Sequence, residues 1–345
     1  MGSRKVKNCW VSGFVLILSG MMLIAFSGPL LAASDKPIVL KLGHGSPFGD
    51  ARDKGANRFA ELVQQKTQGK VKVDVFHSAS LGSDEDVLEQ LQLGSTAFGA
   101  PGAGTVAKLQ PALNVVEMPF LMDTWEQAWA LLDGPIGKEL TKDLPAKGIR
   151  VLSFWENGFR NITNSKRPIE KPSDLEGIKI RVPNWEMSIA TFKALGAAVT
   201  PMAWPEVYLA LQQGVVDAQE NPLTIAWGAK FYEVQKYISM TGHQYSPLPL
   251  IMSEKIWKDL SPDIQKAIEQ AAVEAGAYQR QLTVENENNL LQKFLEKGMK
   301  ANTPNKEPFR KAVKVVYDKY QDKFGTWIKK CEDANRDWKV KHPGK

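Results

Sequence analysis

What most constrains this chain is the order of its strand-like and helix-like stretches, because that order decides whether a sheet can run parallel. "IVLKLGH" (38–44) reads as a strand. "DARDKGANRFAELVQQKTQG" (50–69) reads as a helix, with Phe59, Ala60 and Val63 on one face and Gly69 just past its end. "KVKVDVFHS" (70–78) is a second strand of clean period two, and "DEDVLEQLQLGS" (84–95) a second helix. The alternation then restarts: "GIRVLSFWE" and "IKIRV" read as strands, "WEMSIATFKALG" as a helix, "AAVTPM" as a strand, "PEVYLALQQG" as a helix and "VVDAQEN" as a strand. Such βαβα order implies a mostly parallel sheet flanked by helices. Two such units in one α/β chain imply two lobes facing each other across a cleft. From "SPDIQKAIEQAAVEAG" onward the chain turns helical and charged, with Ser261 as N-cap and Pro262 at the first helical position. Ile264 stands where a Glu would have completed a capping box.

The start of the chain bears on location. "MGSRKVKN" is basic and free of acids, and the apolar run behind it ends in small residues before polar "DKP". Residues 1–33 therefore read as a signal peptide cleaved near Ala33. A retained anchor is the alternative, since the run is long enough to span a bilayer, but its small-residue exit fits cleavage better than stop-transfer. The formal charge of +6 includes Arg4, Lys5 and Lys7, and the remaining basic residues are scattered. Nothing in that pattern asks for nucleic acid. Cys9 lies in the leader and Cys331 is left alone, so the fold rests on its hydrophobic cores rather than on a disulfide.

Catalytic constellations are scarce. His44, His77, His243 and His342 are isolated, without the spacing of a metal site. "GHGSPFG" (43–49) lacks the order of a nucleophile elbow. "GAGTVA" (102–107) fits a loose dinucleotide fingerprint, which would make the chain an exported oxidoreductase, but Pro111 spoils the helix that should follow. The plainer reading, a Gly-rich turn near a cleft, is preferred, and no cofactor or metal is expected.

What remains are binding groups near strand ends, where ligands of open α/β sheets collect. Arg160 follows "SFWENGF", Arg181 lies in "IKIRV" on the face opposite Ile180 and Val182, and Asn221 ends "VVDAQEN". A guanidinium fork matches a carboxylate with two parallel hydrogen bonds, and an amide adds a neutral donor. An exposed arginine is ordinarily a solvated charge, but three such groups at turns within one unit point to an anion site.

The stretch 158–222, from "GFRNITNSKRP" through "IKIRVPNW" and "EVYLALQQGVVD" to "QENP", closely resembles the core of the periplasmic solute receptors of tripartite ATP-independent (TRAP) transporters, the DctP type. The likeness extends to "LGSDEDVLEQLQLGS" (81–95), "PFL" (119–121) and "LIMSEKIWKDLSP" (250–262). It implies a two-lobed periplasmic binding protein fold of type II-like architecture, with the ligand cleft between lobes and long C-terminal helices. Lobe I is expected over 34–157 plus 246–285, and lobe II over 158–245 plus 286–345. By the resemblance, Arg181 is the carboxylate clamp, Arg160 a second cation and Asn221 the amide beside it. Asp84 and Gly102 fall where relatives contact the far end of the ligand, although Gly102 offers no side chain; His44 usually faces the cleft. Trp155, Trp185 and Trp204 are candidates for lining the pocket, with core packing as the even alternative. The expected role is a monomeric periplasmic receptor, not an enzyme, that delivers a small organic anion to the small and large membrane subunits of a TRAP permease. The anion is a carboxylate such as a sugar acid, C4-dicarboxylate or hydroxy or oxo acid, with a sulfonate possible. A receptor of an ATP-driven uptake system and a sensor-partner protein are the alternatives.

Overall fold

The computed structural model describes residues 36–343. The signal-peptide reading therefore lies outside the described residues. The chain lays down β1 (Ile38–Gly43), α1 (Ala51–Lys66), β2 (Val71–Phe76), α2 (Asp84–Leu93), β3 (Phe98–Gly99), the short α3 (Ala103–Val106), α4 (Trp125–Asp133) and α5 (Pro135–Thr141). It continues through β4 (Ile149–Asn164), β5 (Lys179–Val182), α6 (Glu186–Ala194), β6 (Ala198–Pro201), α7 (Val207–Gln212), β7 (Ala218–Asn221) and α8 (Leu223–Gly228). β8 (Tyr237–Ser253), α9 (Glu254–Asp259), α10 (Pro262–Glu296), β9 (Lys300–Asn302), α11 (Lys306–Ala312) and α12 (Lys314–Lys341) follow.

These nine strands join one sheet in the order β2-β1-β3-β8-β4-β7-β5-β6, with β9 paired to β8. The helical crossovers make both ends parallel: β1 with β2 and β3, and β5 with β6 and β7. The middle is antiparallel, because β8 pairs with β3 and β4, and β4 pairs with β7. The expectation of a mostly parallel sheet thus holds for its two wings only. The reason lies in β4 and β8, strands of 16 and 17 residues that run through both halves, where the sequence pattern suggested short strands. Their register slips between Glu156 and Gly158 and between Arg160 and Ile162. At Gly158 φ is +132°, a backbone that favours glycine.

Three cores hold the sheet and helices together, and the largest runs from α2 and α4 across to β5, α6 and α12. Leu42, Phe59, Phe98, Leu250, Ile268 and Ala275 pack together around β1, β3, α1 and α10. Trp155 belongs here, fully buried with its indole against Gly55 and Gly276. Ile180, Phe192, Phe324, Ile328 and Cys331 belong to a second core around β5, α6 and α12, and Val207, Phe231, Leu290 and Phe294 to a third. Burying each of the Leu, Ile, Val and Phe side chains among them contributes about 1.5–3 kcal/mol. Helix α10 packs on α1 in one wing and on α8 and β9 in the other, so it spans the two. It starts at Ser261 and Pro262 as the sequence indicates, with no side-chain hydrogen bond at the cap.

Candidate functional site

A cavity with about 590 Å3 of empty space, counted out to its mouth, lies where the loops of the two wings meet. One wing contributes Ser46, Arg52, Asp84 and Gly102; the other contributes Arg160, Arg181, Trp185, Trp204 and Asn221.

The two arginines arrive from β4 and β5, and both are almost wholly buried. Arg160 is held by Glu220 on β7, whose register sets Ile162 against Glu220 and Asn161 against Asn221. Its Nε and Nη2 donate to the two Glu220 carboxylate oxygens, and Nη2 also donates to the Glu220 carbonyl at 2.7 Å and to Asn221 Oδ1 at 3.1 Å. Nη1 is buried without a hydrogen-bond partner among the described residues. Arg181 differs: its Nε and Nη2 donate only to the Met202 carbonyl, at 3.1 and 2.7 Å. Burial pushes the Arg181 guanidinium down to about 9, against the pull of Glu220, so the charge persists at neutral pH but is poorly compensated. That is the electrostatic condition for binding an anion.

Glu220 is buried, and burial works against its charge, yet Arg160 and a hydrogen bond from His243 hold it below the usual carboxylate range. Burial also keeps His243 below its usual value despite Glu220, which leaves the ring neutral. A carboxylate only accepts, so Nε2 of His243 carries the proton toward Glu220 at 3.1 Å and Nδ1 accepts from Thr241 at 2.8 Å. Asn221 is committed as well, since its amide nitrogen donates to Gln219 Oε1 at 2.6 Å.

The facing wing supplies polar groups of mixed kind. Asp84 opens α2, behind the N-cap Ser83, and its Oδ2 accepts from the Gly102 N–H at 3.1 Å. Burial raises the Asp84 pKa, opposed chiefly by Arg52. Arg52 donates to Asn157 Oδ1 at 3.2 Å, and its Nε has no partner among the described residues. Two indoles cross between the wings: Trp204 Nε1 donates to the Gly45 carbonyl at 3.1 Å and Trp185 Nε1 to Thr105 Oγ1 at 3.0 Å. Each indole sits near an arginine, Trp185 5.1 Å from Arg160 and Trp204 5.9 Å from Arg181.

The cavity brings together Arg160, Arg181, Asn221, Asp84, Trp185 and Trp204. Two expected residues are elsewhere. His44 is buried beneath the loop after β1, with Nε2 3.3 Å from Asp53, because the chain turns there and sends Ser46 to the cavity instead. Trp155 fills the core between α1 and α10. Arg160 also lies inside a long strand rather than at its end, next to the register slip that turns its side chain toward Glu220. Sequence reasoning missed Arg52, Asn157 and Glu220. The only signal was the acid beside Asn221 in "QENP", which a buried arginine in the adjoining strand requires as a partner. No group of three or more His, Cys, Asp or Glu among the described residues has the arrangement of a metal site. "GAGTVA" forms the four-residue helix α3 and its flanks.

Comparison with known proteins gives a consistent result. The model of bacterial extracellular solute-binding protein family 7, DctP, matches residues 42–323. The chain is 38% identical over 290 residues to the 2,3-diketo-L-gulonate-binding periplasmic protein YiaO of Escherichia coli, covering 84% of this chain and 87% of that one. A TRAP periplasmic solute-binding protein from Polaromonas, solved with D-erythronate, superposes with a TM-score of 0.83 at 37% identity, covering 86% of this chain and 98% of that one. The sugar acid binding protein DctPAm of Advenella mimigardefordensis, solved with galactonate, gives 0.85 at 36% identity, covering 88% and 99%.

Proposed function

We propose a function on the premise that this chain belongs to the DctP family, family 7 of the bacterial extracellular solute-binding proteins. It is a receptor of the TRAP type for a small organic anion, which it hands to the small and large membrane subunits of an ion-driven permease. The observation that carries the reading is Arg181: a buried cation whose fork meets only one backbone carbonyl, in a cavity shared by both wings. A carboxylate laid against it gains charge-assisted hydrogen bonds, and Nη1 of Arg160 offers a further donor. Binding is thereby favoured in the closed arrangement, in which the indoles span the cleft.

Within the carboxylates, a polyhydroxylated acid fits best. Opposite the arginines Ser46 and Asn157 stand beside Asp84 and Arg52, whose opposite charges offset each other, so that wall offers partners to hydroxyls rather than an uncompensated cation to a second carboxylate. The sugar acids bound by the Advenella and Polaromonas proteins agree with that choice. The protein works as a monomer in the periplasm, binds without chemical conversion and has no use for nucleic acid. The lobes are 34–157 plus 246–285 and 158–245 plus 286–345. In support, β4 and β8 slip register between Glu156 and Gly158, opposite Pro247 and Ser246, where a pivot is needed.

Thermal denaturation of the chain from Ser34 onward, wild type beside Arg181→Ala, tests this against aldonates, uronates, dicarboxylates, sulfonates and neutral sugars. A ligand at about a hundred times its dissociation constant adds ~2.7 kcal/mol of stability. One class of acids should raise the wild type and leave the variant unmoved. A wild type that responds to no anion, even after unfolding and refolding to strip the site, would sink the receptor reading. A response to dicarboxylates alone would replace the sugar acid.

A further inference from the structure

The wall of the cavity beside Arg160 is one side chain, Trp185. Its indole lies on the turn that opens α3, so close that any side chain there must displace the ring: a Cβ at Gly102 would stand 2.1 Å from it, and one at Gly104 2.3 Å. The fit is held by the hydrogen bond from Nε1 to Thr105 and by the Arg160 guanidinium on the ring. Immediately beyond this wall is a second, open groove lined by Gly104, Lys108, Asn114, Asn184, Lys193 and Lys319. Gly104, against which the indole rests, borders that groove, and Asn184, the residue before Trp185, borders both spaces. The indole faces the inner cavity with its three arginines, and Gly104, against which it rests, faces the groove with its three lysines and Glu186, so ring and glycine together stand between the two spaces.

We propose that Trp185, seated on the Gly102–Gly104 turn, sets the upper size of the ligand, and that this glycine pair is part of the same specificity device. The inference rests on the receptor reading and deepens it: the natural ligand is a short acid that ends at the indole. Removing the indole joins the two spaces and lets a longer polyhydroxylated acid run out past Asn184 toward the lysines. Neither glycine can be exchanged while Trp185 stands there, because even a methyl group at Gly102 must move the ring.

Calorimetric titration with aldonates of four to seven carbons and with nine-carbon sialic acid tests the proposal on wild type, Trp185→Ala, Gly102→Ala and the double variant. Wild type should bind a short member and reject sialic acid. Trp185→Ala should weaken the short acid and tighten sialic acid by tenfold or more. Gly102→Ala should weaken the short acid by displacing the ring, and adding Trp185→Ala should then cost less than it does alone, the mark of direct coupling. If Trp185→Ala does not melt cooperatively, Trp185→Phe serves, with a smaller shift in the same direction. An unchanged order of acids in either Trp185 variant, or a wild type that holds sialic acid as tightly as the short aldonates, overturns the size limit and leaves the receptor standing. A wild type that binds none of the acids and no anion of the thermal screen overturns the receptor reading and this inference with it.

Discussion

Arg160 and Arg181 bring the same fork to the same cavity from neighbouring parts of one sheet, yet they are built for different work. Arg160 spends most of its donors on Glu220 and Asn221, and Glu220 is steadied in turn by His243. Arg181 leans on a carbonyl and keeps its charge. A buried ion pair is an internal brace, costly to break on one side only, whereas a buried cation without a carboxylate waits for one from outside. Resemblance alone marks both residues as ligand contacts; the hydrogen bonds distinguish an arginine braced by a carboxylate from one without such a partner, which is the proposed clamp.

The comparison can be broken most sharply by deleting the clamp. Arg181→Ala should weaken ligand binding at least about a hundredfold, since charge-assisted hydrogen bonds are worth roughly 1.5–3 kcal/mol each. Its urea midpoint should stay near wild type, because only the Met202 carbonyl loses a partner. Arg160→Ala should show the reverse emphasis, a loss of about 3–5 kcal/mol of stability from stranding Glu220. Neutralising the stranded acid in Arg160→Met/Glu220→Gln should recover part of that loss. Equal urea midpoints for Arg160→Ala and Arg181→Ala would erase the distinction.

Arg181→Lys sharpens the picture with a smaller effect. A lysine keeps the charge but not the fork, so calorimetry should show affinity down by roughly tenfold, about 1.4 kcal/mol. Wild-type affinity would mean that charge alone is read. The smallest effect concerns Glu117 and Glu156, which burial pushes up to about 8 in each case. Glu117 lies in the field of Arg160, and Glu156 accepts from Trp129 and Tyr245. Both acids keep protons in the folded state that the unfolded chain releases above the ordinary carboxylate range of about 4.3. Their contribution is therefore full below that range and is lost as the pH rises through about 8. Urea midpoints at pH 5, 7 and 9 should fall along that series for wild type and fall less for Glu156→Gln.

Much of this site was legible in the sequence because it is local. Arg181 stands out by strand alternation and Asn221 by its place before Pro222, whereas Asp84 is marked only by the family resemblance. What was hidden depends on pairing between distant segments. Glu220 becomes the partner of Arg160 only through the β4–β7 register, and Arg52 reads as one more solvated charge until α1 packs its first turn beneath Asn157. Trp155 and Trp185 both stand among mixed apolar and polar neighbours, and their fates differ by element, since Trp155 lies within β4 and Trp185 caps α6. One indole is turned into the gap between α1 and α10, the other onto a pair of glycines. The parallel wings follow from the βαβ order, but the antiparallel centre required knowing that β4 and β8 are long.

Those two strands also govern when the protein can come into being. β3, at residues 98–99, finds its second neighbour only in Met252 and Ile251 of β8, and α1 finds its cover in α10. Neither wing can be finished until most of the chain is available, and pairings at such sequence distance form slowly. Premature collapse of the N-terminal third into a stable unit is thereby discouraged. Folding of the N-terminal third is thus tied to the arrival of β8 and α10, and the two wings reach their final pairing together rather than one after the other.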